Sequence, residues 1–173
     1  MPVLMSFTGL PGVGKSTIAK EVAENTGALW LWIDQIEVAM KASHMVTDDL
    51  ADGGYAAAQA VAKGALRQGV DVIADCVNPI TLTRAAWRAV ADDTGARLIT
   101  VELTCSDQDA HRRRIETRQV DLPGWVGPDW QAVQDRTYEP MPDADVILDT
   151  GQTSVEAAVE RLSRALEAAK QET

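Results

Sequence analysis

Residues 9–16 read Gly-Leu-Pro-Gly-Val-Gly-Lys-Ser, a full match to the spacing G-x-x-x-x-G-K-[ST], and Thr17 follows. This arrangement of types suits one ligand, a chain of phosphates. Gly9, Gly12 and Gly14 free the backbone to turn successive N–H groups, including that of Val13, toward phosphate oxygens. Lys15 places a cation on the β- and γ-phosphates, the Ser16 hydroxyl can ligate Mg²⁺, and the helix opening at Thr17 adds its positive end. A glycine-rich turn without chemistry is the competing reading. The flanks disfavour it, because Val3 to Phe7 is an apolar strand-like run and Ile18, Ala19, Val22 and Ala23 keep helical spacing. The expected ligands are a nucleoside triphosphate and Mg²⁺.

Two carboxylates close apolar runs. Asp34 follows Leu29-Trp30-Leu31-Trp32-Ile33, and a carboxylate there can take the proton of an attacking hydroxyl. Capping the helix through Ile36 and Val38 is its alternative role. Asp75 follows Val70 to Ala74, a place from which a carboxylate holds Mg²⁺ through its waters; the alternative is a turn residue. Glu37, one turn beyond Asp34, can face a substrate, the metal or solvent. Asn78 beside Pro79 reads as a helix cap. Arg114 and Arg118 are spaced to share one helical face, ahead of a segment rich in proline and glycine. Closure of that segment would bring their charge to a phosphoryl group in transfer; a solvated face paired with Glu116 is the alternative. Arg112, Arg113 and Arg136 are weaker candidates. Trp125 and Trp130 flank the segment and suit hinge packing, with stacking on a ring as the second option. Trp30 and Trp32 read as core residues of a central strand, and His44 and His111 as surface residues.

These residues need a scaffold. Strand-like runs at 3–7, 29–33, 70–74, 97–103 and 144–148 alternate with helical patterns, and a final amphipathic helix follows Thr153. That alternation predicts an α/β sandwich in three layers around a five-stranded parallel sheet, with ligands at the carboxyl ends of the strands. Residues 41–54 are polar and irregular, a candidate substrate loop, and residues 119–128 have the composition of a lid. At 173 residues the chain is expected to be a single domain spanning 1–173. Its apolar share of 46% and charged share of 24% are ordinary for a globular protein. No run approaches the roughly 18 apolar residues of a membrane span, and no basic-then-apolar leader precedes the first strand. Cys76 and Cys105 lack metal-ligand spacing and suit a reducing compartment, the cytoplasm. A net charge of −10 argues against long nucleic acid as a partner, although the arginine cluster leaves a single nucleotide open.

With these residues in place, the chain resembles the small P-loop kinases, a group that includes adenylylsulfate, gluconate and shikimate kinases, chloramphenicol phosphotransferase and zeta-toxin-like kinases. Trp32 to Met40 is similar to the acceptor segment of chloramphenicol phosphotransferases, and the match implies a catalytic base at Asp34. Tyr138-Glu139-Pro140 with Leu148-Asp149-Thr150-Gly151 resembles the end of adenylylsulfate kinases, and Arg114-Ile-Glu-Thr-Arg118 resembles the lid arginines of the group. The second strand ends without the Asp-Gly-Asp of adenylylsulfate kinases. The resemblance therefore implies a P-loop NTPase sandwich, ATP, Mg²⁺ and phosphoryl transfer, and stops at the acceptor.

The expected activity is transfer of the γ-phosphoryl group of ATP to a hydroxyl of a small molecule. Lys15, Asp34, Arg114 and Arg118 carry the chemistry, residues 9 and 12–17 hold the nucleotide, and Ser16 and Asp75 hold the metal. Two other functions stay open. One is a kinase for a nucleotide or a 5′-hydroxyl nucleic-acid end; the other is a nucleotide-binding switch without an acceptor. No Asn-Lys-x-Asp guanine signature is present, and a dinucleotide fold fails because no third glycine follows Gly14. A homodimer is left open.

Overall fold

The computed structural model describes residues 1–44 and 49–171. Strand β1 (Val3–Thr8) is buried at every position and lies in the middle of the sheet. Burial on both faces explains its nearly continuous apolar run. Val3, Met5 and Phe7 face one layer of helices and Leu4 the other. The remaining strands are β2 (Leu29–Trp32), β3 (Val72–Asp75), β4 (Arg97–Thr104) and β5 (Val146–Asp149). All pair in parallel, in the order β2-β3-β1-β4-β5. The five-stranded α/β sandwich expected from the alternation of strands and helices is therefore the observed architecture.

Helices α1 (Lys15–Thr26) and α7 (Val155–Gln171) cover one face; Ile18 and Val22 meet Val159, Leu162 and Leu166 over β1, β4 and β5. Helices α3 (Gly53–Arg67) and α4 (Thr81–Thr94) cover the other, where Ala58, Ala62 and Leu66 pack with Trp87 and Val90. Helix α2 (Ile33–Lys41) follows β2 without a loop, and α5 (Gln108–Glu116) and α6 (Trp130–Gln134) flank the carboxyl end of the sheet. No described helix is long and apolar enough to cross a membrane.

The order of strands positions the site. The chain leaves β1, crosses beyond β3 to form β2, and returns to pair β3 with β1. Residues leaving β1, β2 and β3 therefore emerge side by side, with Trp32 in register with Asp75. Gly9 donates its N–H to the Val77 carbonyl, and the Thr8 hydroxyl donates to the carbonyls of Val77 and Asn78. These bonds tie the start of the loop at 9–16 to the end of β3.

Several local expectations need correction. Strand β2 is an edge strand, so both tryptophans are half-buried, Trp30 packed against the core and Trp32 outside it, with their rings stacked at 5.4 Å. Helix α4 starts at Thr81 after Ile80 in the N-cap position, so Asn78 does not cap it. Asn78 instead sits buried with φ of 49° and donates its side-chain amide to the Ser6 hydroxyl. The carboxylate that reaches the start of α4 belongs to Glu139, which accepts from the Thr81 N–H and hydroxyl. Helix α5 ends at Glu116, which leaves Arg118 beyond it rather than on a shared helical face with Arg114. Of the candidate substrate loop at 41–54, residues 45–48 lie outside the described residues.

Candidate active site

The loop at 9–16 holds its shape because glycine stands where no other residue fits. Gly9 has φ of 145°, and a Cβ there would lie 2.4 Å from the Leu103 carbonyl oxygen. At Gly12, with φ of 82°, a Cβ would lie 2.5 Å from the Ile115 Cδ1 of α5. Helix α5 is thus the wall behind the loop. His111 on the same helix is buried against it, its Nε2 2.7 Å from the Pro11 carbonyl oxygen and its ring edge-on to Trp130. The expectation of a surface His111 is therefore overturned: the ring packs on Trp130 while its Nε2 reaches a backbone carbonyl of the loop. His44 is exposed, as expected. Val13 is buried, and its carbonyl accepts from the Thr150 hydroxyl at 2.8 Å.

Lys15 begins α1 and is buried, donating to the carbonyls of Gly9 and Leu10 at 2.8 Å each. Burial lowers its pKa to about 8, opposed chiefly by the charge of Asp75. Asp75 is buried at the end of β3. It accepts from the Trp30 indole at 3.2 Å and has the Ser16 hydroxyl beside it. Its burial pushes the carboxyl above the usual range, while Lys15, Ser16 and Trp30 pull it back. The pair Ser16–Asp75 offers a hydroxyl and a carboxylate side by side. These are the hard oxygen donors Mg²⁺ takes when phosphates and water supply the other ligands. Among the described residues no cluster of three or more His, Cys, Asp or Glu side chains could cage a metal by itself.

A cavity of about 160 Å³ lies over the loop, lined by Gly12, Gly14, Lys15, Ser16, Thr17, Arg114 and Arg118. The two arginines that the sequence singles out reach it together with the loop. They are held differently. Arg114 donates to the Thr150 hydroxyl and carbonyl, at 2.9 and 3.1 Å, and so braces the residue that holds Val13. Arg118 lies over the Trp125 ring at 4.5 Å and faces Asp34 at 3.9 Å. Arg112 pairs with Glu116 at 2.7 Å on the exposed face, and Arg113 is exposed.

Beside this cavity lies a larger one of about 840 Å³, lined in part by Lys15, Ser16, Asp34, Glu37, Asp75 and Arg118. Lys15, Ser16 and Arg118 line both. Asp34 sits in the first turn of α2, but Trp32 holds the N-cap position and Asp34 makes no cap. Its Oδ2 accepts from the Trp125 indole at 3.1 Å. Glu37 is half-buried, and its carboxyl is raised by burial and by Asp34. Arg136 also lines the cavity.

Trp32, Tyr55, Leu82 and Val126 line the same cavity and were not expected there. One signal was available for Leu82, which falls off the helical stripe of Trp87, Val90 and Ala91. Nothing local marks Tyr55, whose hydroxyl accepts the backbone N–H of Asn78 across the fold.

Residues 4–124 match the family model described as an AAA domain. No curated protein matches the chain significantly. Among solved structures, a candidate kinase from Chloroflexus aurantiacus superposes with a TM-score of 0.76 at 20% identity, over 97% of both chains. The APS kinase of Mycobacterium tuberculosis in complex with AMPPNP and APS gives 0.65 at 20%, over 96% of this chain and 98% of that one. A gluconokinase from Sinorhizobium meliloti gives 0.62 at 21%, over 96% and 97%. With the phosphate loop on β1, the parallel sheet and these matches, the chain belongs to the AAA-domain family of P-loop proteins and has the fold of the small P-loop kinases.

Proposed function

We propose that the protein is a kinase, moving the γ-phosphoryl group of ATP to a hydroxyl of a small molecule within a single domain. One observation carries the proposal: the cavity over the phosphate loop shares Lys15, Ser16 and Arg118 with a second, larger cavity that holds Asp34. A binding module needs only the first; a transferase needs both, adjoining at the phosphoryl group. The backbone of residues 9–17 cradles the phosphates. Ser16 and Asp75 would hold Mg²⁺, which when bound neutralises charge on the β- and γ-phosphate oxygens.

Transfer then runs as follows. The acceptor hydroxyl hydrogen-bonds to Asp34, whose carboxylate takes its proton as the oxygen bonds to the γ-phosphorus. The bond from that phosphorus to the bridging oxygen breaks, and ADP leaves with the negative charge near Lys15. Arg118 lies at the junction and meets the charge on the equatorial oxygens, whereas Arg114 is tied to Thr150 and keeps the nucleotide side in place.

The test uses γ-labelled ATP with a panel of hydroxylated metabolites, antibiotics and nucleotides, following label into an acid-stable phosphate ester. Asp34→Asn keeps the side chain's size and its contact with Trp125. Transfer should fall by roughly 10²–10⁴-fold while ADP still binds. Equal transfer by this variant and the unaltered protein would remove Asp34 as base; label released only as inorganic phosphate in every case would remove the kinase function.

A further inference from the structure

Among the described residues, the two most exposed large apolar side chains are Val126, at 91%, and Leu82, at 75%. Both line the larger cavity, one from the lid segment and one from the first turn of α4. A single exposed leucine or valine is unremarkable; two converging on one cavity that already holds Trp32, Tyr55 and Trp125 form an apolar wall. Neither packs in the core, so their burial awaits something that enters the cavity.

The charged groups complement this wall. Among the described residues, the cavity is lined beyond Lys15 by three cations, Lys41, Arg118 and Arg136, and by three carboxylates that do not belong to the metal pair, Asp34, Glu37 and Asp52. Arg118 faces Asp34 at 3.9 Å and spends its flat face on Trp125. Lys41 and Arg136 both lie close enough to Glu37 to favour its charged form. A site for a carboxylate, sulfate or phosphate on the acceptor needs cations in excess, held ready for paired hydrogen bonds. Among the described residues the cations of the acceptor end are equalled in number by carboxylates, and no net positive charge is left over for an anion.

Resting on the kinase function proposed above, we infer that the larger cavity takes an uncharged alcohol carrying an apolar body of aromatic size, and not an anionic metabolite. The hydroxyl points to Asp34 at the junction with the phosphate cavity, and the body lies against Trp32 and Trp125 with Leu82 and Val126 closing over it. The cavity's 840 Å³ is ample for such a molecule, because sites for drug-sized ligands span about 300–1,000 Å³. The preference is set by desolvation: burying an apolar body there is favourable, whereas burying an anion where positive charge is not in excess is costly.

Calorimetry on the ADP-loaded protein tests the preference with four probes that all carry a hydroxyl. Cinnamyl alcohol is neutral and aromatic, glycerol is neutral without an apolar body, and D-gluconate and AMP are anionic. Cinnamyl alcohol, with about ten non-hydrogen atoms, should bind in the millimolar range, and the other three at least about tenfold more weakly. Leu82→Asp and Val126→Asp each place a charge on the wall and should weaken cinnamyl alcohol roughly tenfold. Both side chains are mostly exposed, so the variants should fold; Leu82→Ser and Val126→Ser, expected to weaken it several-fold, guard against the case where they do not. Tighter binding of gluconate or AMP, no binding of cinnamyl alcohol, or indifference to all four substitutions would overturn the inference. Phosphorylation of gluconate would do the same while upholding the kinase. Failure of every alcohol to accept phosphate from ATP, with cinnamyl alcohol still bound, would refute the kinase and leave the cavity's preference standing.

Discussion

Lys15 concentrates the energetics of the site in one side chain. Burial disfavours its charge and lowers its pKa to about 8, below the roughly 10.4 of a lysine in an unfolded chain. The sign of the consequence follows from proton counting. Between about pH 8 and pH 10.4 the unfolded chain holds a proton that the folded one has lost, so this group's contribution to stability rises with pH through that window. Below pH 8 both states carry the charge, and the cost of burying it is felt in full. Phosphates restore the charge, so nucleotide binding should take up a proton above pH 8 and weaken as pH rises further. ADP titrations by calorimetry in buffers of different ionisation enthalpy check both effects; affinity unchanged to about pH 10 would contradict them. The arginines separate at the same scale. Arg118→Ala should lower the turnover of transfer by roughly 10²-fold, as loss of one transition-state donor does. Arg114→Ala should mainly raise the dissociation constant for ADP, since it unbraces Thr150 and the Val13 carbonyl. Initial rates and ADP titrations on both variants distinguish the two roles.

Two elements around the phosphate loop divide the labour of support and motion. Helix α5 is fixed: Asp107 caps it by accepting from the Ala110 N–H, and Ile115 and His111 press on the loop at Gly12 and Pro11. The segment 119–128 has no helix or strand; Trp125 meets Asp34 and Arg118, and Gly124, Val126 and Pro128 line the larger cavity beside it. We propose that it is a lid, opened by breaking those few contacts and closed over nucleotide and acceptor. Backbone amides at 119–127, apart from prolines, should exchange with deuterium more slowly when AMPPNP and Mg²⁺ are bound, while those of β1 and β4 hardly change. Hydrogen-exchange mass spectrometry reads this directly. Equal exchange with and without the analogue would count against a moving lid. Proline and glycine in the segment were legible as lid composition; its contact with Asp34 was not, because Trp125 lies 91 residues further along the chain.

The molecule as a whole rests on two apolar layers, and the site sits at the sheet end where neither layer is deepest. Leu162 of α7 is fully buried against α1 and the sheet. Leu162→Ala should cost about 2–5 kcal/mol, with a fall in Tm of roughly 2–4 °C per kcal/mol for a domain of this size. Since Leu162 lines neither cavity, ADP should still raise Tm by a similar increment, as mass action requires when the folded state binds unchanged. Thermal melts with and without ADP test it. Loss of the increment would mean that α7 positions the loop as well as covering it.

The phosphate loop was readable because all its chemistry lies within eight consecutive residues, and each glycine states a backbone requirement. Strand and helix alternation was readable for a similar reason: periodicity is local, and five apolar runs separated by helical patterns admit few architectures. Asp34 and Asp75 could be singled out because strand ends in such sheets are where ligands gather. Strand order was not local. It made β2 an edge, so Trp30 packs on the core only in part and bonds Asp75, and Trp32 became a wall of the larger cavity. His111, Tyr55 and Leu82 depend on which residues distant in the chain meet them, and no periodicity encodes that. The sequence by itself determined the nucleotide-binding chemistry and the class of fold, since both are written at short range. Tertiary structure alone decided which side chains share a cavity and with what balance of charge and apolar surface, because desolvation and pairing depend on neighbours supplied by the whole fold.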